Sequence, residues 1–177
     1  VSQLHLGGGT PTFLSDEELA RLMGGLRQAF RLVPGGEYSI EVDPRTVSPE
    51  RLAVLASLGF NRISLGVQDF DPEVQKAVHR IQSFDSVADL IVRARELGIE
   101  SVNADLIYGL PRQTPTSFAR TLDLISQLRP DRIALYGYAH LPARFKPQRR
   151  IHAEELPSAS DKLAMLSAAI GHFAAAG

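Results

Sequence analysis

The sequence lacks the features of several classes of protein. None of its 177 residues is a cysteine, so it has no disulfide and no cysteine-held metal within this stretch. No apolar run approaches the roughly 20 residues that a membrane-spanning helix needs. The formal net charge of -1 gives no basic footprint for nucleic acid. With 44% hydrophobic and 22% charged residues, the composition is that of a globular domain with one sizeable core.

The five histidines also lack the pattern of a metal site. Their separations do not match the short intervals between ligands that zinc sites use. We therefore predict no metal site formed by these residues alone. They are His5, His79, His140, His152 and His172.

Strand-like and helix-like segments alternate about five times along the chain, with short connections. For example, Ser15 to Glu18 has the pattern of a capping box at the start of a helix, and Arg62 to Gln68 has that of a strand. Such alternation indicates right-handed βαβ units around a parallel sheet. A barrel and a doubly wound sheet both fit this pattern. No linker divides the chain, so residues 1–177 are predicted to form one domain.

The predicted strands have one apolar face and one polar face. A parallel strand that is buried on both faces would be apolar throughout, but Ile40 and Val42 alternate with Glu41. The same alternation places Gln68 and Asp105 on polar faces near the carboxyl ends of the next two strands. Because βα folds build their ligand sites at these ends, the three polar side chains are candidate ligand-binding groups.

Buried carboxylates need hydrogen-bond donors or water. An open, partly polar barrel is therefore favoured over a barrel with a packed apolar interior. The alternative is that the polar groups pair with Arg62, Arg80 or the backbone and have only a structural role.

The first predicted strand ends in a glycine-rich turn with the sequence His5-Leu6-Gly7-Gly8-Gly9-Thr10-Pro11-Thr12. Glycine allows the backbone to approach a ligand closely and to turn its N–H groups toward it. The spacing matches neither of the two best-known phosphate-binding loops. A tight strand-to-helix turn without a ligand is the other interpretation.

Six segments in order carry a combined pattern: Gly7–Thr12, Ser39–Pro44, Gly66–Phe70, Val78–Gln82, Asp105–Pro111 and Tyr138–Pro142. Together they resemble the oxygen-independent coproporphyrinogen III oxidases, which are radical S-adenosylmethionine enzymes of haem (porphyrin) biosynthesis. The resemblance covers nearly the whole chain. Asp69, with the segments Tyr138–Pro142 and Phe145–Arg150, resembles the oxidase branch, because the haem-chaperone-like relatives usually have serine at the position of Asp69.

The resemblance implies an α/β fold, a partial TIM-like open (βα)6 radical-SAM barrel of which this chain supplies strands two to six. In the family, the first strand leads to a CxxxCxxC loop that holds a four-iron four-sulfur (4Fe-4S) cluster. A chain without cysteine cannot supply those ligands. We therefore expect residues 1–177 to be an incomplete barrel domain that lacks the cluster loop and the family's C-terminal domain, and to be inactive alone.

The resemblance also implies which residues bind the cofactor S-adenosylmethionine. Members of the family can bind two molecules of it. The glycine-rich turn would line the cofactor, Glu41 would bind a ribose hydroxyl or an ammonium group, and Arg80 would suit a carboxylate. Ala139 matches a position where the backbone passes the adenine. No catalytic residue is assigned. The implied cofactor-binding residues are Gly8, Gly9, Thr10, Glu41, Gln68, Arg80, Asp105 and Ala139.

In the family, the cluster gives an electron to S-adenosylmethionine, and the resulting deoxyadenosyl radical removes a hydrogen atom from each of two propionates of coproporphyrinogen III. Decarboxylation then leaves the vinyl groups of protoporphyrinogen IX. The resemblance thus implies a radical SAM oxidoreductase, a coproporphyrinogen dehydrogenase, in the full-length protein. The alternative is a haem-binding or haem-transfer protein of the same fold.

Further expectations follow from the same resemblance. They are coproporphyrinogen III as the substrate, a reductase or flavodoxin-like electron donor, no nucleic-acid or membrane partner, a monomeric state and a cytoplasmic location. A basic run of Arg144, Lys146, Arg149 and Arg150 would suit the four carboxylates of the substrate. A solvated loop is the other interpretation of this run.

Overall fold

A computed structural model of the protein describes residues 1–177 and contains five strands and six α-helices in alternating order. The strands are β1 (Gln3–Leu6), β2 (Glu37–Val42), β3 (Arg62–Gln68), β4 (Ser101–Tyr108) and β5 (Arg132–Gly137). The helices are α1 (Asp16–Ala29), α2 (Pro49–Ser57), α3 (Pro72–Ala77), α4 (Phe84–Glu96), α5 (Pro115–Leu128) and α6 (Ala159–Ala176). Short 3-10 helices lie at Pro11–Phe13, Lys146–Arg150 and Ala153–Glu155.

All neighbouring strands are parallel, and their order in the sheet is the order of the chain, β1-β2-β3-β4-β5. A doubly wound sheet reverses its strand order at a switch point, and this sheet has no such reversal. The structure therefore confirms the barrel interpretation, in the form of a five-stranded half-barrel.

The sheet is strongly curved, as an ion pair across its concave side shows. Arg132 at the start of β5 donates to Glu37 at the start of β2 over 2.7 Å, and Arg62 of β3 donates to the same carboxylate over 2.6 Å. In a flat sheet, β2 and β5 would be about 14 Å apart, three strand spacings. Curvature brings them within reach of one Glu–Arg pair.

The convex face of the sheet packs against the helices and forms the core. Strand residues such as Ile40, Ile63 and Val102 are fully buried, and so are Leu52 and Phe118 on the facing helices. The predicted apolar faces of β2, β3 and β4 are thus confirmed. Burial of this face leaves the alternate side chains on the concave side.

Polar side chains cap several helices and fix the residues at which these helices begin. Ser15 and Glu18 form the predicted capping box of α1. Ser48 caps α2 ahead of Pro49, and Thr114 forms a second capping box at α5.

No helix combines the length and the apolar character that crossing a membrane requires.

Candidate functional site

A polar cavity of about 120 Å³ opens at the carboxyl ends of β2, β3 and β4, beside the glycine turn that follows β1. Val42 is the only hydrophobic residue in its lining. A second cavity, of about 340 Å³, continues along the concave face and shares Glu41, Ser64 and Asp105 with the first. Six of the eight residues predicted for the site line the first cavity: Gly9, Thr10, Glu41, Gln68, Arg80 and Asp105.

The glycine turn is held against Glu41. Gly8 and Gly9 have φ values of 81° and 115°, a region that favours glycine because other residues clash there. The backbone N–H of Gly8 donates to Oε2 of Glu41 over 3.2 Å. A Cβ on Gly7 would lie 2.6 Å from Oε1 of Glu41 and 2.6 Å from Nε2 of His5, so a side chain there would have to displace one of them.

His5 is a site residue that the sequence analysis missed. Its Nδ1 lies 2.8 Å from Oγ of Ser39, and its Nε2 lies 3.5 Å from Oε1 of Glu41. His5 and Ser39 are register partners in neighbouring strands, so they share the concave face with Glu41. The signal was present in the sequence, because the alternation that places Glu41 on the polar face applies to β1 as well.

Asp105 is the second carboxylate of the cavity, and neighbouring strands orient it. Oγ of Ser64 donates to both of its oxygens over 3.1 Å, and Nδ2 of Asn103 donates to Oδ1 over 2.7 Å. Burial raises the pKa of Asp105, the negative charge of Glu41 adds to this effect, and the two donors oppose it.

Neither arginine named in the structural alternative forms an ion pair with Glu41 or Asp105. Arg62 binds Glu37 instead, over 2.6 Å. Nη2 of Arg80 donates to the carbonyl of Gly66 over 3.2 Å and lies 3.6 Å from Oδ2 of Asp43. Burial lowers the pKa of Arg80, while the charges of Asp43 and Asp105 raise it. The backbone part of that alternative does hold, because the N–H of Gly8 binds Glu41.

Gln68 lines the cavity because the end of β3 is irregular, which strand alternation alone does not predict. The register between β3 and β4 shifts between Gly66 and Gln68, and Gln68 has a φ of 67°. A left-handed non-glycine residue at a strand end is a sterically costly conformation that surrounding structure must hold. We predicted a regular strand through Gln68, so this irregularity is a difference from the expectation.

Comparison with known proteins identifies the family. The Radical SAM superfamily matches residues 1–125 of the chain. The chain belongs to the radical SAM superfamily. Oxygen-independent coproporphyrinogen III oxidase of Pseudomonas aeruginosa is 54% identical to it over an alignment of 179 residues that covers 100% of this chain and 39% of that protein. The protein of the same name in Escherichia coli (strain K12) is 49% identical over 177 residues, with coverage of 100% and 39%.

Solved structures agree with this placement. The coproporphyrinogen III oxidase (HemN) from Escherichia coli, a radical SAM enzyme, superposes with a TM-score of 0.96 at 49% identity, over 100% of this chain and 41% of that one. Archaeal Elp3 from Methanocaldococcus infernus has a TM-score of 0.75 at 17% identity, over 94% of this chain and 44% of that one, which shows the shared fold alone. The chain thus spans about two fifths of the length of the relatives it matches.

Radical SAM enzymes use S-adenosylmethionine and a 4Fe-4S cluster, and the polar cavity has suitable donors for the first of these. Glu41 and Asp105 are two carboxylates without an arginine partner, which suits the ammonium and sulfonium charges of this ligand. Nε of Arg80 is buried and has no hydrogen-bond partner, which suits a carboxylate. The chain contains no cysteine, so thiolate ligands for a cluster are not among these residues.

Asp69, which the sequence analysis associated with the oxidase branch, lines neither cavity. It is 1% exposed, and burial raises its pKa. It accepts hydrogen bonds from Oγ1 of Thr121 over 2.9 Å and from Nε2 of Gln113 over 2.5 Å. Oε1 of Gln113 in turn accepts from the N–H groups of Gly109 and Leu110. Asp69 therefore ties the turn after β3 to the loop after β4.

Two further buried glutamines support the irregular end of β3. Nε2 of Gln75 donates to the carbonyls of Asp69 and Gln82, each over 2.9 Å. Nε2 of Gln82 donates to the carbonyl of Val67 over 2.5 Å. These bonds flank Gln68 on both sides and hold its left-handed conformation.

Gly8 and Ala139 are the two predicted site residues that do not line the polar cavity. Gly8 borders it through its N–H bond to Glu41, whereas Ala139 does not. Ala139 follows β5, is exposed, and accepts a hydrogen bond at its carbonyl from Nε2 of Gln148 over 3.0 Å.

No group of three or more His, Asp or Glu side chains is arranged to hold a metal ion.

Substitution of Gly7 with alanine tests the packing of the glycine turn. We expect the new Cβ to push Glu41 away from the N–H of Gly8, because both Glu41 and His5 would lie 2.6 Å from it. A crystal structure of the variant would show the lost hydrogen bond. Gly25→Ala is the matched control, since nothing lies within 4 Å of a Cβ at that position. Unmoved Glu41 and His5 side chains in Gly7→Ala would contradict the expectation.

Proposed function

We propose that the protein containing this chain is an oxygen-independent coproporphyrinogen III oxidase. The observation that supports this most is the cavity that unites the glycine turn, Arg80 and two carboxylates without an arginine or lysine ion pair. It lies at the strand ends of a chain that is 54% identical to an enzyme of that name. The reaction converts two propionates of coproporphyrinogen III into the vinyl groups of protoporphyrinogen IX. Both curated relatives described above are named as oxidases, so the haem-transfer alternative is not favoured.

The residues proposed to hold S-adenosylmethionine supply complementary charges. Glu41 and Asp105 would attract its cationic groups, Arg80 would bind its carboxylate, and the glycine turn would admit it close to the backbone. When bound beside a reduced cluster, this cofactor supplies the one-electron chemistry that removes a hydrogen atom from carbon. The proposed set is Gly8, Gly9, Thr10, Glu41, Gln68, Arg80, Asp105 and Ala139.

The chain's own contribution is orientation and charge. Each reacting propionate loses one hydrogen atom, one electron and CO₂ as its vinyl group forms. Ser64 and Asn103 orient Asp105, and His5 with the N–H of Gly8 orients Glu41, so neither carboxylate has to reorganise when a cationic ligand arrives. Such preorganised groups hold a ligand in one geometry at little entropic cost.

The setting of the protein is proposed as well. A cytoplasmic monomer that receives electrons from a reductase or a flavodoxin-like protein would fit the activity. Residues 1–177 would act as one domain, because a single cluster of 26 buried hydrophobic residues runs from α1 to α6.

The activity itself is tested with the whole protein, reconstituted with its cluster under anaerobic conditions. We expect S-adenosylmethionine-dependent formation of protoporphyrinogen IX from coproporphyrinogen III, followed by product fluorescence after oxidation. Glu41→Gln should weaken S-adenosylmethionine binding about tenfold, because it removes a charge and keeps the shape. Glu100→Gln, at an exposed position, is the control. Binding of haem without any porphyrinogen turnover would contradict the proposal.

The affinity for S-adenosylmethionine should also depend on pH through Asp105. Burial raises the pKa of this carboxyl, so it binds a proton at a higher pH than an ordinary aspartate. The charge that attracts a cation is therefore present above the raised pKa and is lost as the pH falls through it. Calorimetric Kd values between about pH 4.5 and pH 7 should rise toward low pH. In Asp105→Asn this rise should be smaller, and identical profiles for the two proteins would refute the role of Asp105.

A further inference from the structure

A second kind of cavity adjoins the polar one and has no role in the site described so far. It has a volume of about 260 Å³ and lies between the end of α3, the end of β4 and the 146–151 turn. Six of its eleven lining residues are hydrophobic, in contrast to one of ten in the polar cavity. The hydrophobic members are Ala77, Val78, Ile107, Leu110, Tyr138 and Ile151.

Two side chains join this apolar cavity to the polar one. Gln68 and Arg80 line both. A ligand seated in the apolar cavity would therefore have its polar edge next to the proposed cofactor. The volume is slightly below the range of about 300–1,000 Å³ that is typical of whole ligand pockets, so the cavity would enclose one ring of a larger ligand.

The apolar cavity also contains an unused polar group. The hydroxyl of Tyr138 is buried and has no hydrogen-bond partner, and burial raises the pKa of this phenol. A buried donor without a partner is unfavourable by about 1–3 kcal/mol, so such groups are normally satisfied. An acceptor on a ligand, such as a carboxylate oxygen, would satisfy it.

The rim of the cavity is basic and has no compensating acid. Arg144, Lys146, Arg149 and Arg150 are exposed, and none of them is within ion-pair distance of an acidic group. Residues 132–153 include no aspartate or glutamate. The 146–151 turn forms a wall of the cavity through Pro147, Gln148 and Ile151. Lys146, Arg149 and Arg150 are neighbours of these lining residues in the chain, and Arg144 lies two residues before the turn.

We propose that this apolar cavity and its basic rim form a substrate subsite, in which one pyrrole ring enters the cavity and carboxylates of the tetrapyrrole bind Tyr138, Arg144, Lys146 and Arg150. The inference rests on the proposed function. The expected ligand is amphiphilic, because the cavity has apolar walls that can contact a ring and the rim has cations without ion pairs that can bind carboxylates. The reacting propionate would then extend past Gln68 and Arg80 into the polar cavity.

Steady-state kinetics of the whole, cluster-loaded protein under anaerobic conditions test the subsite with coproporphyrinogen III. The triple variant Arg144→Gln, Lys146→Gln, Arg150→Gln should raise KM by about tenfold or more and flatten its dependence on salt. Ile151→Glu should raise KM similarly, because it places a carboxylate against those of the substrate. The Kd for S-adenosylmethionine should stay within about twofold of the parent in both variants, which also shows that they are folded.

Matched controls separate this effect from a general change of charge. The triple variant Arg21→Gln, Arg31→Gln, Arg120→Gln removes the same charge from exposed positions without ion pairs, and Ile170→Glu repeats the second substitution at a residue that is 62% exposed. Both should leave KM within about twofold of the parent. An unchanged KM in either test variant would overturn the subsite. Absence of turnover in the parent would instead overturn the proposed function, so the two failures are distinguishable.

Discussion

Two carboxylates without an arginine or lysine ion pair, Glu41 and Asp105, determine the character of the concave face of the sheet. The convex face is sealed by the helices, so side chains at alternate strand positions have no apolar layer to enter. Nearby arginines are already bound, Arg62 to Glu37 and Arg80 near Asp43. The result is a cavity with a deficit of positive charge, which a cationic ligand can correct.

Hydrogen bonds and packing around these carboxylates restrict their movement. The glycine turn gives Glu41 a backbone donor and can do so only because Gly7 has no side chain. At the end of β3, buried amide and hydroxyl groups around Asp69 hold Gln68 in its left-handed backbone conformation. Hydrogen-bonded networks of buried polar groups rigidify a site, although Oε1 of Gln82 in this network has no partner. Asp69 therefore acts through the backbone that it holds and makes no contact with either polar cavity.

Much of this could be predicted from the sequence, because it follows from local periodicity. The bounds of β3, the capping box at Ser15 and the polar faces that carry Glu41 and Asp105 all depend on neighbours along the chain or on strand alternation. The bulge at Gln68 could not be predicted, since it depends on Gln82 and on partners in α5 and its preceding loop that lie about 50 residues away. His5 could have been predicted too, because strand alternation places it on the polar face of β1 beside Ser39, whereas the spacing between histidines carries no information about this.

The concave face is proposed to bind S-adenosylmethionine through these carboxylates. A crystal structure of the whole protein with S-adenosylmethionine, prepared without oxygen, tests this most directly. We expect the cofactor to contact Glu41, Asp105 and the turn at Gly8 and Gly9, with the Gly8 N–H bond to Glu41 retained or exchanged for a ligand contact. Cofactor bound elsewhere, with both carboxylates facing only water and protein, would contradict the claim.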